Sequence, residues 1–431
     1  MKIRRHVRST LKWLTPGIGI KRWLVLLAAG IALLSLGFAF LLRELYPLPA
    51  SFYFLTLQFI PRGLRAGLFG ALGLAVVVLA VVALNRALLR PFVEPDAERL
   101  VNAVYSFRQR ERGPKVVAIG GGHGLAVLLR GLKEHTSNLT AIVTVADDGG
   151  SSGRLRRELG VLPPGDFRMC ITALADDEAL ITQLFQYRFP KVSVEPDGNG
   201  GSLDGHSFGN LFISAMAELT GSFERALVES GRVLAVRGRV LPSTLEDVTL
   251  SADLCAEPVG VCRVTGESRI TEAGGRIARL HLAPENAPAY PDAVRALLEA
   301  DLIVAGPGSL YTSVLPNLLV RDIAQAVAAS RALKVYVCNV ATQRGETDGY
   351  GIADHVAALE AHVGRSLFPL VLANDNLHVP FAAPAGVALV QPELPAAAGV
   401  QLVTADLIDP AQPWRHDSDK LAHALLDLLA D

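Results

Sequence analysis

Apolar residues along this chain fall into two regimes. Near the start they form unbroken runs: residues 23–42 read WLVLLAAGIALLSLGFAFLL and residues 66–84 read AGLFGALGLAVVVLAVVAL, with no charge in either. A helix of about 20 apolar residues matches the roughly 30 Å hydrocarbon core of a bilayer. The two runs therefore predict a transmembrane helical hairpin. The first is too long for the apolar core of a signal peptide and lacks a small-residue cleavage site. Between them FYFLTLQFI, residues 52–60, is too short to span and reads as interfacial.

From about residue 114 the runs shorten and become periodic. Lys115–Ile119 is a short apolar run bounded by glycines, which predicts a buried strand. Leu125, Leu128, Leu129 and Leu132 follow at i, i+3, i+4, i+7, which predicts a helix. Leu139–Ala146 is a second strand candidate. This β-loop-α-β opening begins a doubly wound sheet. Asp301–Ala305 and Lys334–Val340 repeat the pattern, with helices predicted over about 317–330 and 351–363. Residues 231–283 alternate and are rich in Val, Thr and Arg, which predicts an antiparallel insert. Residues 381–414 are rich in Pro and Ala and yield no assignment; 417–430 read as a last amphipathic helix. The expected fold class is α/β: a Rossmann-like, doubly wound, mostly parallel sheet with a β-rich insert, preceded by an N-terminal transmembrane helical hairpin. The expected organisation is a basic tail and two spans over 1–90, a charged linker over 91–113, and one domain over 114–431.

The net charge of −1, from 41 Lys and Arg against 42 Asp and Glu, hides an asymmetry. Residues 1–22 hold seven basic residues and no acid, so the rest carries 34 basic against 42 acidic. Three arginines lie between the runs (Arg43, Arg62, Arg65), and seven basic residues follow over 85–115. By the positive-inside rule both ends of the hairpin are cytoplasmic. The expected location is the cell membrane, two-pass, with the C-terminal domain cytoplasmic. The runs carry no charge that would mark a pump or channel, so they read as an anchor. The tail then reads as a topology signal rather than a nucleic-acid arm, and no nucleic-acid partner is expected. Four scattered cysteines with no CxxC argue against a disulfide framework or a structural zinc, and no metal ligands are assigned.

Loops at the carboxyl ends of parallel strands converge on one crevice, and several here have unusual composition. GGGHG supplies Gly120, Gly121, Gly122 and Gly124, whose backbone N–H groups suit a phosphate at a helix start. It is not GxGxxG. ADDGGSSGR supplies Asp147, Asp148, Ser151, Ser152, Gly153 and Arg154; the acids suit a ribose hydroxyl, a metal or a base, or merely cap a turn. LPPGDFRMC reads as a rigid turn with Asp166 and Arg168 at its exit, Arg168 being a phosphate clamp or half of a structural Arg–Asp pair. GHSFGN places His206 and Asn210 at a helix start, with no Ser or Asp partner for the histidine identifiable by spacing. GPGSLYT supplies Gly306, Gly308, Ser309 and Thr312 as a second phosphate-type loop. NVATQRGET supplies Asn339, Thr342, Gln343 and Thr347, short polar groups suited to sugar or base hydroxyls. Together they predict a nucleotide or sugar-nucleotide site; no catalytic residue is assigned. The absence of GxxxxGK[ST] disfavours a P-loop NTPase.

With these strings the chain resembles the YvcK-type gluconeogenesis factors, within the wider family of the 2-phospho-lactate transferase CofD. The matching strings include GGGHGLAVLLRGLK, VTVADDGGSSGRLRRELG, GHSFGNL, LAVRGRVLPSTLEDVTL, AGPGSLYTSVLPNLLV and VCNVATQRGETDGY. The resemblance implies a Rossmann-like domain that binds a nucleotide-containing ligand. In the regulator branch that ligand is a UDP-sugar, notably UDP-N-acetylglucosamine, and the role is in cell shape and envelope precursor supply on gluconeogenic carbon. No cofactor is implied with certainty; Mg²⁺ enters only if the chain is a transferase. The implied partners are the nucleotide sugar, the membrane through the hairpin and an envelope-metabolism protein, with a homodimer left open. The chain departs from the family pattern at His123, where Thr is usual, at Met169 for Asn, and at Ala341 and Arg344 for Met and Pro. Two other readings compete. One is a CofD-like transferase moving a phospho-lactyl group from a guanosine diphosphate carrier. The other is a nicotinamide-dependent oxidoreductase, against which the shortened glycine pattern argues.

Overall fold

In a computed structural model, residues 59–89 and 110–430 are described, with gaps at 177–178, 191–202, 257–259, 380–385 and 396–398; before residue 59 only Ile31, Ser35, Phe54 and Leu57 are. The chain divides into two units, Met1–Gln109 and Arg110–Asp431.

In the first unit, helix α1 (Arg62–Leu89) contains the second predicted span. Its apolar side chains include Leu64, Leu68, Leu72, Val76 and Leu79, all exposed. Among the described residues no helix is long and apolar enough to cross a membrane. The side chains of 80–89, most of the first predicted span and the 91–109 linker lie outside those residues. The transmembrane hairpin thus has no structural support in them.

The second unit is built on β1 (Val116–Gly120), β2 (Leu139–Val143), β3 (Arg239–Pro242), β7 (Leu302–Ala305), β8 (Leu333–Val337), β9 (Leu370–Asn374) and β10 (Gln401–Ala405). They form one sheet in the order β10-β9-β8-β7-β1-β2-β3, and every pairing is parallel. β1, β2 and β7 are buried along their whole length, as a parallel strand covered on both faces must be. Helix α2 (Gly122–Leu132) returns from β1 with Leu125, Leu128, Leu129 and Leu132 fully buried. Each such leucine contributes about 1.5–3 kcal/mol of burial.

The strand order reverses at β1. The chain steps through β2 and β3 on one side, then returns to β7, β8, β9 and β10 on the other. Ligands of open α/β sheets bind outside the carboxyl ends of the strands at such a switch point. GGGHG follows β1 and GPGS follows β7, so the two glycine loops flank the switch. Their approach is close: a Cβ added at Gly124 would run into the Pro307 carbonyl and lie 2.8 Å from the Gly308 Cα. Gly124→Ala is therefore expected to destabilise the domain by about 1–3 kcal/mol, seen as a lower melting temperature. Unchanged melting would mean that the loops do not touch.

The insert is smaller than its alternation predicts. Residues up to Val233 finish a helix, and β3 joins the main sheet in parallel. The antiparallel part is a three-stranded sheet of β4 (Thr249–Ala256), β5 (Gly260–Thr265) and β6 (Arg276–Ala283), in the order β5-β4-β6, with helix Glu267–Ala273 between β5 and β6. The helix predicted over 317–330 is broken into helices Leu315–Leu319 and Arg321–Ala329, and a π-helical turn Leu310–Val314 precedes them. Pro316 starts the first helix, and the extended backbone of Val320 ends it. The unassigned 381–414 region supplies edge strand β10, and β11 (Ile408–Asp409) pairs with β12 (Gln412–His416) as a hairpin.

Candidate functional site

LPPGDFRMC is not a turn with its charges at the exit. Its PPG ends in helix Gly165–Leu174, which puts Asp166 and Arg168 in the first turn. Arg168 is 7% exposed. Its Nε donates to Asn210 Oδ1 at 2.9 Å, and Asn210 Nδ2 donates to Ser151 Oγ at 3.2 Å. Ser151 Oγ lies 2.9 Å from His206 Nδ1. Chemistry fixes the direction of the first two links. A guanidinium only donates, so the Asn210 oxygen faces it; the amide nitrogen then donates, so Ser151 accepts. In the tautomer with the ring proton on Nε2, Ser151 gives its single proton to His206 Nδ1. Burial, aided by Arg154, lowers the His206 pKa and keeps the ring neutral. The serine partner of His206 that spacing could not identify is thus Ser151.

Among the described residues Arg168 makes no ion pair and its two terminal amino groups have no protein partner; burial and nearby Arg188 lower its pKa, and Asp166 partly opposes them. A buried guanidinium with two open donors fits a bidentate oxyanion. The structural Arg–Asp pair left open by the sequence is not formed. More positive charge gathers nearby. Burial lowers the His123 pKa, and Arg415, Arg168, Arg130 and Arg188 lower it further. His123 of the GGGHG loop therefore sits within reach of four arginines.

Acids occupy the other flank. Asp166 receives the Gly122 N–H, and burial, then Asp147, push its pKa up to about 7. A Cβ at Gly121 would strike the Asp166 carboxylate, and Gly122 itself has φ +61°, so the loop is shaped around this acid. Burial pushes Glu267 of the insert up to about 8, with Asp147, Glu346 and Asp166 adding repulsion. Asp147 is raised chiefly by burial, although Gly149 N–H and the Ser152 hydroxyl bond to it. Near neutral pH the site thus holds protonated carboxyls, which act as hydrogen-bond donors. Among the described residues no group of three or more His, Cys, Asp or Glu is placed to hold a metal ion.

Many of the other predicted residues hold the loops together. The Asp148 carboxylate accepts from Ser268 N (3.0 Å) and Oγ (2.9 Å), capping the insert helix over the crevice. Arg154 donates to the Asp204 carbonyl. A Cβ at Gly153 would collide with the Asp148 carbonyl. Asn339 exchanges two hydrogen bonds with the Gly308 backbone, at 3.0 and 2.8 Å, where Gly308 has φ +151°. Ser309 donates to Gln343 (2.7 Å) and Thr312 to the buried Glu346 (2.9 Å). Thr342 accepts from Ala388 N (3.0 Å) and Thr347 from Gln343 N (2.8 Å). The loop hydroxyls predicted for a sugar are therefore largely occupied. Gly120 ends β1, and Gly306, with φ +79°, turns the chain after β7.

Sequence reasoning missed Asp166, Glu267, Glu346, Arg188 and Arg415 as site residues. Asp166 had a signal in its place beside Arg168; the others are distant in sequence with no distinguishing local pattern. A cavity at the opposite, amino ends of β1–β3 is lined by Lys115, Asn138, Thr140, Arg239 and Glu299. Its Lys115 is paired with Glu299 at 3.3 Å, and it lacks a buried open cation like Arg168.

Residues 116–429 match the family model of 2-phospho-L-lactate transferase CofD. The gluconeogenesis factor of Bacillus subtilis is 45% identical over 328 residues, 74% of this chain and 99% of that protein. A relative from Clostridium acetobutylicum is 40% identical over 435 residues, covering 98% of this chain and 92% of its own length. The crystal structure of a UPF0052 family protein from Bacillus halodurans superposes with a TM-score of 0.66 at 43% identity, over 73% of this chain and 99% of that one. Some relatives therefore extend along the N-terminal segment and others align with the domain alone. The chain belongs to the CofD family and, within it, to the gluconeogenesis factors.

Proposed function

We propose that this protein is a membrane-anchored regulator that binds a UDP-sugar, UDP-N-acetylglucosamine in particular, at the β1/β7 crevice. In this reading it adjusts envelope precursor supply and cell shape during growth on gluconeogenic carbon. The observation that carries the ligand class is Arg168, a buried cation with two open donors beside the glycine loops. A diphosphate supplies the oxygens it lacks, and the loop N–H groups and nearby arginines add complementary charge. The protonated acids on the other flank suit the neutral hydroxyls and amide of a sugar. Isothermal titration of the full chain in detergent with UDP-N-acetylglucosamine is expected to show binding; none at millimolar ligand would overturn the reading.

The anchor rests on the two apolar runs, the basic flanks and the exposed apolar surface of α1. Its expected result is a protein that stays with membranes through alkaline carbonate and leaves them in detergent. Release by carbonate alone would remove the anchor. One observation favours a transferase instead: the Ser151–His206 pair, a feature of chemistry more than of sensing. Release of GMP from a guanosine diphosphate carrier, dependent on a deazaflavin acceptor, would decide for that alternative.

A further inference from the structure

We infer that Ser151 is a nucleophile and that the site cleaves the diphosphate of its ligand through a covalent Ser151 adduct. This rests on the nucleotide-diphosphate reading of the crevice.

Three observations carry it. Ser151 Oγ lies 2.9 Å from His206 Nδ1, which accepts the serine proton in the Nε2–H tautomer, and Asn210 donates to the same oxygen. That is the geometry of a hydroxyl paired with its general base. All four members are nearly closed to solvent: Ser151 6%, His206 2%, Asn210 2% and Arg168 7% exposed. A purely structural network has no need of a desolvated arginine that forms no ion pair among the described residues, which is costly to bury. Ser151 also stands in the first turn of the ten-residue helix Gly150–Leu159. The positive end of that helix and the open amino groups of Arg168 both favour negative charge building up on phosphate.

The step balances as follows. Ser151 Oγ attacks one phosphorus of the diphosphate and gives its proton to His206 Nδ1. The Oγ–P bond forms, and the bridging P–O bond breaks with its electron pair going to the leaving monophosphate. His206 returns the proton to that product through solvent. Water then attacks the phosphorus on Ser151 and loses a proton to His206; the P–Oγ bond breaks, His206 passes that proton to the serine oxygen, and the second monophosphate is freed. The net reaction is one diphosphate plus water giving two monophosphates. Asn210 touches the nucleophile, whereas its bond to Arg168 makes it a positioning residue for the clamp.

The test uses full-length protein in detergent with UDP-N-acetylglucosamine. Binding is followed by calorimetry, UMP release by chromatography and the adduct by intact mass and peptide mapping. The expected result is UMP release with a phosphorus-bearing adduct on the peptide containing Ser151. Ser151→Ala is expected to abolish the adduct and slow release at least about 100-fold. His206→Asn is the second variant, because its amide oxygen can still accept the serine proton while it cannot serve as a base. It is expected to keep the wild-type melting temperature and lose release by a similar factor. Binding without UMP release, or release that survives in Ser151→Ala, overturns this inference and leaves the ligand reading intact. Absence of binding removes the ligand reading, and this inference with it.

Discussion

Arg168→Ala is expected to weaken binding of UDP-N-acetylglucosamine by at least about 100-fold, with little change in melting temperature. The first half follows from the open donors. Two charge-assisted hydrogen bonds to an oxyanion are worth roughly 1.5–3 kcal/mol each, and about 2.7 kcal/mol is already a hundredfold in affinity. The second half follows from two opposing changes in the free protein. The substitution leaves Asn210 Oδ1 buried without its donor, costing about 1–3 kcal/mol. It also removes a 7%-exposed guanidinium that Asp166 offsets only in part, which returns a similar amount. Arg168→Lys separates charge from shape. It keeps the cation but cannot hold Asn210 and grip an oxyanion bidentately at once, so an intermediate loss is expected. Titration of the two variants beside the parent checks this. Affinity within threefold of the parent in Arg168→Ala would show that the open guanidinium is not the anchor.

Elements whose signal is local were legible in the sequence. β1 and α2 are an apolar run followed by leucines at helical spacing, and both are found within a residue or two of their predicted places. The glycine loops were legible too, because strand, glycines and helix follow directly in order. β3 was misread because a short alternating segment looks alike in an antiparallel insert and at the edge of a parallel sheet, which only the partner strand distinguishes. The same holds for the chemistry. Ser151, Arg168, His206 and Asn210 were each chosen as ligand contacts, but their relay joins residues 55, 59 and 42 positions apart. No periodicity encodes such a distance.

The polar loop residues also have a pattern. Asp148, Arg154, Asn339, Thr342 and Thr347 are polar residues in glycine-rich loops, the composition expected at a ligand. They also satisfy backbone groups of their own or other loops. Long loops at a switch point carry many unpaired backbone groups, and each must find a partner. Part of what looks like binding chemistry is thus the cost of building the crevice walls. Arg168 and Asp166 stand apart, because among the described residues the first has open donors and the second a strained charge.

Asp166→Asn is expected to stabilise the protein most above pH 7 and by less than half as much at pH 5. The sign follows from linkage. The folded-state pKa of Asp166 is raised to about 7 from an ordinary carboxyl value of 3.8, so the native state binds this proton more tightly than the unfolded state. Stability contributed by the protonated group is full below the unfolded pKa and is lost as pH rises through the folded one. A shift of that size corresponds to at most about 4 kcal/mol at pH 8. Part of the residue surface opens to the crevice, which trims the expected gain to about 1–2 kcal/mol. At about 2–4 °C per kcal/mol, melting should rise by a few degrees at pH 8. Asparagine retains an oxygen for the Gly122 N–H, so the loop around Gly121 keeps its shape and the comparison isolates charge. Melting of both proteins from pH 5 to 8 checks the prediction, and a variant destabilised equally at both ends would show that Asp166 carries no strain. A stabilising substitution beside the glycine loop would mean that the parent keeps a costly acid where the ligand binds, which is how a site selected for function differs from one selected for stability.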